Sequence, residues 1–88
     1  MYNFNNLIDD LNHGREIEFK FNNSSYSITN FKGFWYFYCE ETHISIRLSP
    51  FEDKLNLINA ISSPKIIGID IKDIFNHKRY DSDSLFIL

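Results

Sequence analysis

Four stretches between Arg15 and Leu48 alternate in polarity with a period of two, which places successive side chains on opposite faces of a sheet. The first, second and fourth stretches have one apolar and one polar face, the pattern of an antiparallel strand with one side in solvent. Two turn sequences separate the first three stretches, Asn22-Asn23-Ser24 and Asn30-Phe31-Lys32-Gly33. The sequence therefore predicts a four-stranded antiparallel meander.

The third stretch, from Phe34 to Cys39, is apolar on both faces. A strand of this kind is either covered on both sides or offers one side to a partner. One interpretation is that the carboxy-terminal segment packs on the second face, and the other is that a partner molecule does. One face carries Trp35, Phe37 and Cys39, and the other carries Phe34, Tyr36 and Tyr38.

An amphipathic helix is expected from about Tyr2 to His13, because apolar residues recur there at i, i+3, i+4 and i+7. Gly14 is expected to end this helix, and His13 then lies near the negative end of the helix dipole. The apolar positions are Phe4, Leu7, Ile8 and Leu11.

Two further helices are expected after the meander. Ser49-Pro50-Phe51-Glu52 has the form of a capping box, with Ser49 as N-cap and Pro50 at the first helical position, so a second helix should begin there. Ser62-Ser63-Pro64 should end it, and Asp70 should cap a third, short helix. These signals predict two C-terminal helices.

The end of the chain has two interpretations. Tyr80 to Ser84 is predicted to be a polar loop, and Leu85 to Leu88 either adds a short edge strand or simply packs on the rest. The predicted fold class is α+β, a single domain over residues 1–88. It consists of an N-terminal helix, a four-stranded antiparallel meander and two C-terminal helices, with or without that edge strand.

Composition restricts the classes of function. A formal net charge of −3, with the basic residues scattered, argues against sequence-independent nucleic-acid binding, which depends on Lys and Arg neutralising phosphates. No apolar stretch approaches the 18 or so residues that span a membrane, so no membrane association is expected. A single cysteine and the lack of a signal segment lead us to expect a cytoplasmic protein.

Catalytic and metal-binding patterns are incomplete. Cys39 and His43 flank two glutamates, but a zinc site needs three or four ligands and no second cluster follows. The glycines are isolated, so no phosphate-binding loop is present. We expect no enzymatic activity, no metal site and no cofactor.

The segment from Lys32 to Tyr38 partly resembles the first signature strand of RNA-recognition domains, with a basic residue, a glycine and alternating aromatics. Trp35 stands where that signature has a small residue, and the preceding elements follow the order helix, strand, strand. The resemblance implies that the aromatic strand could stack on nucleic-acid bases.

A broader resemblance rests on the order of Gly14-Arg15-Glu16-Ile17-Glu18-Phe19, Tyr26-Ser27-Ile28-Thr29, Gly33-Phe34-Trp35 and the closing segment from Ile69 to Phe75. In this order the chain is similar to small uncharacterised proteins of low-GC Gram-positive bacteria and their phages and mobile elements. That resemblance implies no established active site.

The leading prediction is a non-catalytic protein-binding module, such as an inhibitor, an immunity protein or a phage anti-defence protein that blocks a larger protein partner. Tyr26, Tyr36 and Tyr38 are expected to share a face and to anchor the partner, because Tyr adds contact area at low entropic cost. Glu40 and Glu41 are expected to form an acidic rim. The alternatives are single-stranded nucleic-acid or nucleotide binding through the aromatic strand, and a structural homodimer.

Overall fold

The computed structural model describes residues 2–88 and shows an α+β fold in which three helices pack on one face of an antiparallel sheet. The helices are α1 (Phe4–Asn12), α2 (Lys54–Ile61) and α3 (Ile71–Asn76). The strands are β1 (Ile17–Phe21), β2 (Ser24–Phe31), β3 (Phe34–Cys39), β4 (Ile44–Pro50), β5 (Lys65–Ile66), β6 (Ile69–Asp70) and β7 (Asp81–Ile87). Five strands form the main sheet in the order β4-β3-β2-β1-β7, and β5 and β6 form a separate short hairpin.

The first two hairpin turns are the tight turns that the sequence predicts. Asn22 and Asn23 have φ of 52° and 64°, and Lys32 and Gly33 have φ of 49° and 88°. Positive φ at both central residues is what a two-residue type I′ turn requires, and its twist matches that of the flanking strands. The meander of β1 to β4 is therefore confirmed, and its turns fix the register of the pairing.

The core lies between the helices and one face of the sheet. Ile17, Ile28 and Phe37 are direct cross-strand neighbours in β1, β2 and β3, and all three are buried. The helices complete the core with Leu7, Leu11, Leu57, Ile61, Ile71, Ile74 and Phe75. Removing this apolar surface from water is the main stabilising contribution to the fold.

Helix α1 begins two residues later than the periodicity alone predicts. Asn3 is the N-cap: its side chain accepts a hydrogen bond from the N–H of Asn6 (3.0 Å), and Asn6 Oδ1 accepts one from the N–H of Asn3 (3.0 Å). This reciprocal capping box sets the start at Phe4. At the other end Gly14 has φ of 77° and donates its N–H to the carbonyl of Leu11.

The expected start of the second helix is wrong. β4 continues through Ser49 and Pro50, and α2 begins at Lys54 with Asp53 as its N-cap, whose side chain accepts from the N–H of Asn56 (3.2 Å). β4 is an edge strand, where a proline interrupts no ladder on its open side. Pairing with β3 therefore overrides the local capping signal at Ser49 and Glu52.

The carboxy-terminal segment forms a longer strand than expected, and the predicted polar loop is wrong. Tyr80 is buried and donates its hydroxyl hydrogen bond to the carbonyl of Tyr2 (2.9 Å), and β7 begins at the next residue. β7 pairs with β1, so that Phe86 lies opposite Glu18. The segment thus extends the sheet at its edge and does not cover the second face of β3.

The connector between the C-terminal helices has secondary structure of its own. The segment around Gly68 forms the β5–β6 hairpin. Asp70 occupies the N-cap position of α3, but its side chain makes no capping hydrogen bond and instead pairs with Lys65 Nζ at 2.8 Å. The ion pair closes the base of the hairpin.

Candidate functional site

The face of the main sheet opposite the helices, called the open face from here on, has no buried side chain. Cross-strand pairing defines its members, because directly opposite residues point to the same side of a sheet. They are Glu18, Lys20, Ser25, Ser27, Thr29, Phe31, Phe34, Tyr36, Tyr38, Ser45, Arg47, Pro50, Asp81 and Phe86. The open face therefore combines half-buried and exposed aromatic side chains with small polar and charged ones.

One row of residues across the strands of the open face has an aromatic residue at each end and two smaller side chains between them. Phe86 lies opposite Glu18, Glu18 opposite Ser27, and Ser27 opposite Tyr38. Tyr38 and Phe86 are therefore three strands apart, or roughly 14 Å, since neighbouring strands lie about 4.8 Å apart. Between them is a cleft of about 510 Å³.

An irregular segment of β7 forms one wall of this cleft. The register shifts between Glu18 and Lys20, so that Lys20 pairs with Asp81 although Glu18 pairs with Phe86. The residues between them bulge, and the Oγ of Ser84 accepts the hydrogen bond from the N–H of Lys20 (2.7 Å). Asp81, Asp83 and Ser84 then line the cleft opposite Tyr38 and Glu40.

Acidic side chains concentrate at this cleft. Five carboxylates and one ammonium group lie at or beside it, which is a formal charge of −4, against −3 for the whole chain. The remainder of the chain, with seven acidic and eight basic side chains, therefore sums to +1. The six groups are Glu18, Glu40, Glu41, Asp81, Asp83 and Lys20.

Glu41 is held beside the cleft by a backbone contact. Its Oε1 accepts a hydrogen bond from the N–H of Ser25 (2.8 Å), and this bond is the main reason that the pKa of Glu41 lies below its ordinary value. The positive charge of Lys20 lowers that pKa further. The structure thus brings both predicted rim residues, Glu40 and Glu41, to the end of the sheet where Tyr38 lies.

Two of the aromatic residues on the open face are already held by neighbouring side chains. The hydroxyl of Tyr38 lies 2.9 Å from Nδ1 of His43, and the guanidinium carbon of Arg47 lies 4.7 Å from the centroid of the Phe34 ring. Within residues 2–88, no side-chain hydrogen bond or ring contact engages Tyr36. A second, shallower depression of about 330 Å³ lies between Tyr36 and Tyr38.

Tyr26 does not share a face with Tyr36 and Tyr38, so that expectation is wrong. Tyr26 lies on the helix side of the sheet, where its ring stacks between those of Phe19 and Phe37, with centroids 5.6 and 5.7 Å away. Partial burial raises its pKa. The signal was present in the sequence, because Tyr26 alternates in phase with Ile28, a core residue.

Phe86, Glu18 and the Asp81 to Ser84 segment were not predicted as site residues. Their proximity to Tyr38 depends on the pairing of β7 with β1, whose partners are far apart in the sequence. Pairing between strands that are far apart in the sequence produces no periodic pattern within a short segment. Only the charged face of β1, which includes Glu18, was visible in the sequence.

Cys39 and His43 are not positioned as a catalytic pair. Cys39 lies on the helix side of β3, whereas the ring of His43 contacts Tyr38 on the open face. Burial raises the pKa of the Cys39 thiol, but hydrogen bonds from Thr42 and the backbone of Glu41 outweigh that effect and lower it overall. Among residues 2–88, no three His, Cys, Asp or Glu side chains are grouped so that they could hold a metal ion.

The helices of the described chain, residues 2–88, are all too short or too polar to cross a membrane. Searches with the whole sequence and with the fold found no matching protein family, curated protein or solved structure.

Proposed function

We propose that this protein is a non-catalytic protein-binding module that blocks its partner by covering it, as an inhibitor, an immunity protein or a phage anti-defence protein does. The open face is the binding surface. The observation that carries the proposal is the aromatic side of β3, where Phe34, Tyr36 and Tyr38 point away from the core and are only half-buried, although no other element of the described chain covers them. Aromatic side chains that adjoin one another on an uncovered face are typical of interaction surfaces.

Preorganisation supports this role. Ordering a flexible side chain at an interface costs about 0.5–1.5 kcal/mol. Tyr38 is oriented by His43 and Phe34 by Arg47, so part of this cost is already met in the free protein. A five-stranded sheet also supplies a rigid support, which favours aromatic anchors that bury large areas at low entropic cost.

Single-stranded nucleic-acid or nucleotide binding is the second candidate, and the adjacent, half-buried rings of Tyr36 and Tyr38 on the open face favour it. Such a site stacks bases on aromatic rings but also needs cationic groups along the backbone. The −4 charge at the cleft would repel phosphate. We therefore rank it below protein binding.

A structural homodimer is the third candidate. Ile44 and Ile46 lie on the edge strand β4 with 60% and 43% of their surfaces exposed. An edge strand with exposed apolar residues can pair with a second copy. In that case light scattering would give twice the mass of the monomer.

The experiment is affinity capture of partners from nuclease-treated lysate by the tagged protein, with washes at two salt concentrations. We expect one stoichiometric protein to survive the high-salt wash and to be lost with the Tyr36→Ala/Tyr38→Ala variant. Leu55→Ala is the matched control, because Leu55 is 73% exposed and lies on α2, away from the open face.

Equal capture by the folded tyrosine variant and by the wild type would contradict the proposal. Capture that is seen in a parallel untreated lysate and disappears on nuclease treatment or at high salt would instead favour the nucleic-acid candidate. Circular dichroism of each variant establishes that the fold is retained.

A further inference from the structure

The cleft on the open face has two aromatic walls and a carboxylate in its floor. Tyr38 and Phe86 form the walls, and Glu18 and Ser27 lie between them on the same row. Phe86 is 58% exposed, although it belongs to the sheet. A flat, cationic side chain is the group that both a ring face and a carboxylate attract.

We propose that this cleft receives an arginine side chain that projects from a basic surface of the partner protein. The inference rests on the proposed function, because it names the chemistry of the partner that the open face would bind. The occupant is a segment of a protein and not a free small molecule.

Charge complementarity is the first argument. The residues at and beside the cleft carry −4, whereas the rest of the chain sums to +1. This concentration of negative charge favours the approach of a basic partner to this end of the open face. No ion pair engages Glu18, Glu40 or Asp83 within residues 2–88, so their carboxylates are available to an incoming cation.

Lys20, the one basic side chain lining the cleft, cannot balance the five carboxylates around it. Its charge acts on Glu41, whose carboxylate accepts the hydrogen bond from the N–H of Ser25, the cross-strand neighbour of Lys20. Within residues 2–88, no ion pair joins Lys20 to Glu18.

The second argument is geometric and favours arginine over lysine. On the same face, the chain already places a guanidinium on a ring, since Arg47 lies 4.7 Å from the centroid of Phe34. A guanidinium between Tyr38 and Phe86 can stack on a ring while donating two parallel hydrogen bonds to the Glu18 carboxylate. The ammonium group of lysine is not planar, so it cannot stack on a ring in this way. It also cannot donate two parallel hydrogen bonds to one carboxylate.

The test uses the full chain labelled with ¹⁵N and a hexa-arginine peptide as the probe, followed by amide chemical shifts at about 150 mM salt, where long-range attraction is screened. We expect saturable shifts at Glu18, Ser27, Tyr38 and Phe86. Hexa-lysine should bind more weakly, and hexa-glutamate should leave these amides unchanged. Arginine amide, as a single small guanidinium, should bind much more weakly than the peptide.

Glu18→Gln should weaken the hexa-arginine affinity about two- to fivefold, which is the usual effect of one partly exposed charge. Glu52→Gln is the matched control, because it removes the same charge from an exposed position in the turn before α2, outside the cleft. It should leave the affinity nearly unchanged.

Equal losses with Glu18→Gln and Glu52→Gln would overturn the inference, because the attraction would then be diffuse. Equal binding of hexa-lysine would overturn the assignment to arginine, and equal binding of arginine amide would overturn the assignment to a protein segment. If the captured partner depends on Tyr36 and Tyr38 but not on Glu18, this inference fails while the proposed function stands. If no partner depends on the tyrosines, the proposed function itself fails.

Discussion

The hydroxyl oxygen of Tyr38 lies 2.9 Å from Nδ1 of His43, so the residue before β4 orients an aromatic ring on the open face. His43 reaches this position because its backbone is left-handed, with φ of 58°. The β3–β4 turn therefore does more than connect two strands. It fixes the direction of a side chain that forms a wall of the cleft.

Tyr38→Phe and His43→Ala should each lower the free energy of unfolding by about 0.5–1 kcal/mol, because each removes the same exposed hydrogen bond. The double variant should lose little more than either single variant. Urea denaturation of the wild type and the three variants measures the coupling. Strictly additive losses would show that the two side chains do not interact in solution.

Trp35→Ala should lower the free energy of unfolding by about 3–5 kcal/mol, since Trp35 is fully buried and its truncation leaves a large cavity. Its Nε1 also donates a hydrogen bond to the carbonyl of Phe51 (3.2 Å), and its ring stacks on the Phe51 ring. Trp35→Phe keeps a ring but not the donor, so it should cost about 1–3 kcal/mol. Denaturation followed by circular dichroism tests both values, and similar losses for the two variants would contradict this account.

Glu41 should make stability depend on pH in the acidic range. Its pKa is lower in the folded protein than its ordinary value of 4.5, chiefly because it accepts the hydrogen bond from Ser25 N–H. A group of this kind contributes stability above its ordinary pKa and loses that contribution as pH falls through the folded pKa. Wild type should therefore exceed Glu41→Gln in unfolding free energy at pH 7, and the difference should shrink below about pH 4.5. A difference that is constant from pH 7 to pH 2 would refute the assignment.

Ile67→Asn should stabilise the protein by about 1 kcal/mol, because a β-branched residue is strained at positive φ whereas Asn tolerates it. Ile67 has φ of 52° in the turn between β5 and β6, and 68% of its surface is exposed, so the substitution removes little buried area. Ile67→Val retains the branched side chain and should change stability by less than about 0.5 kcal/mol. Thermal denaturation compares them, and a destabilised Ile67→Asn would mean that the isoleucine makes a contact of its own.

Elements whose signals are local could be predicted from the sequence. The period-two pattern identified the strands β1 to β4 and, in β1 and β2, the apolar face that packs on the core, because successive side chains of a strand point to opposite faces. The turns at Asn22-Asn23 and Lys32-Gly33 followed from residues that adopt positive φ. The amphipathic pattern of α1 identified its buried stripe, and the two apolar sides of β3 indicated that one of them would be open or covered by something else.

Local signals predicted the wrong element wherever long-range strand pairing competes with them. Ser49-Pro50 resembles the start of a helix, yet it pairs with β3 as the end of an edge strand. The tail after Tyr80 resembles a polar loop, yet Lys20 and Ser84 are joined across 64 positions by a hydrogen bond within the β1–β7 pair. Hydrogen bonding between distant strands depends on how the whole chain packs, and no short window of sequence encodes it. The cleft between Tyr38 and Phe86 arises from that pairing, which is why its aromatic wall on β3 was visible in the sequence and its opposite wall was not.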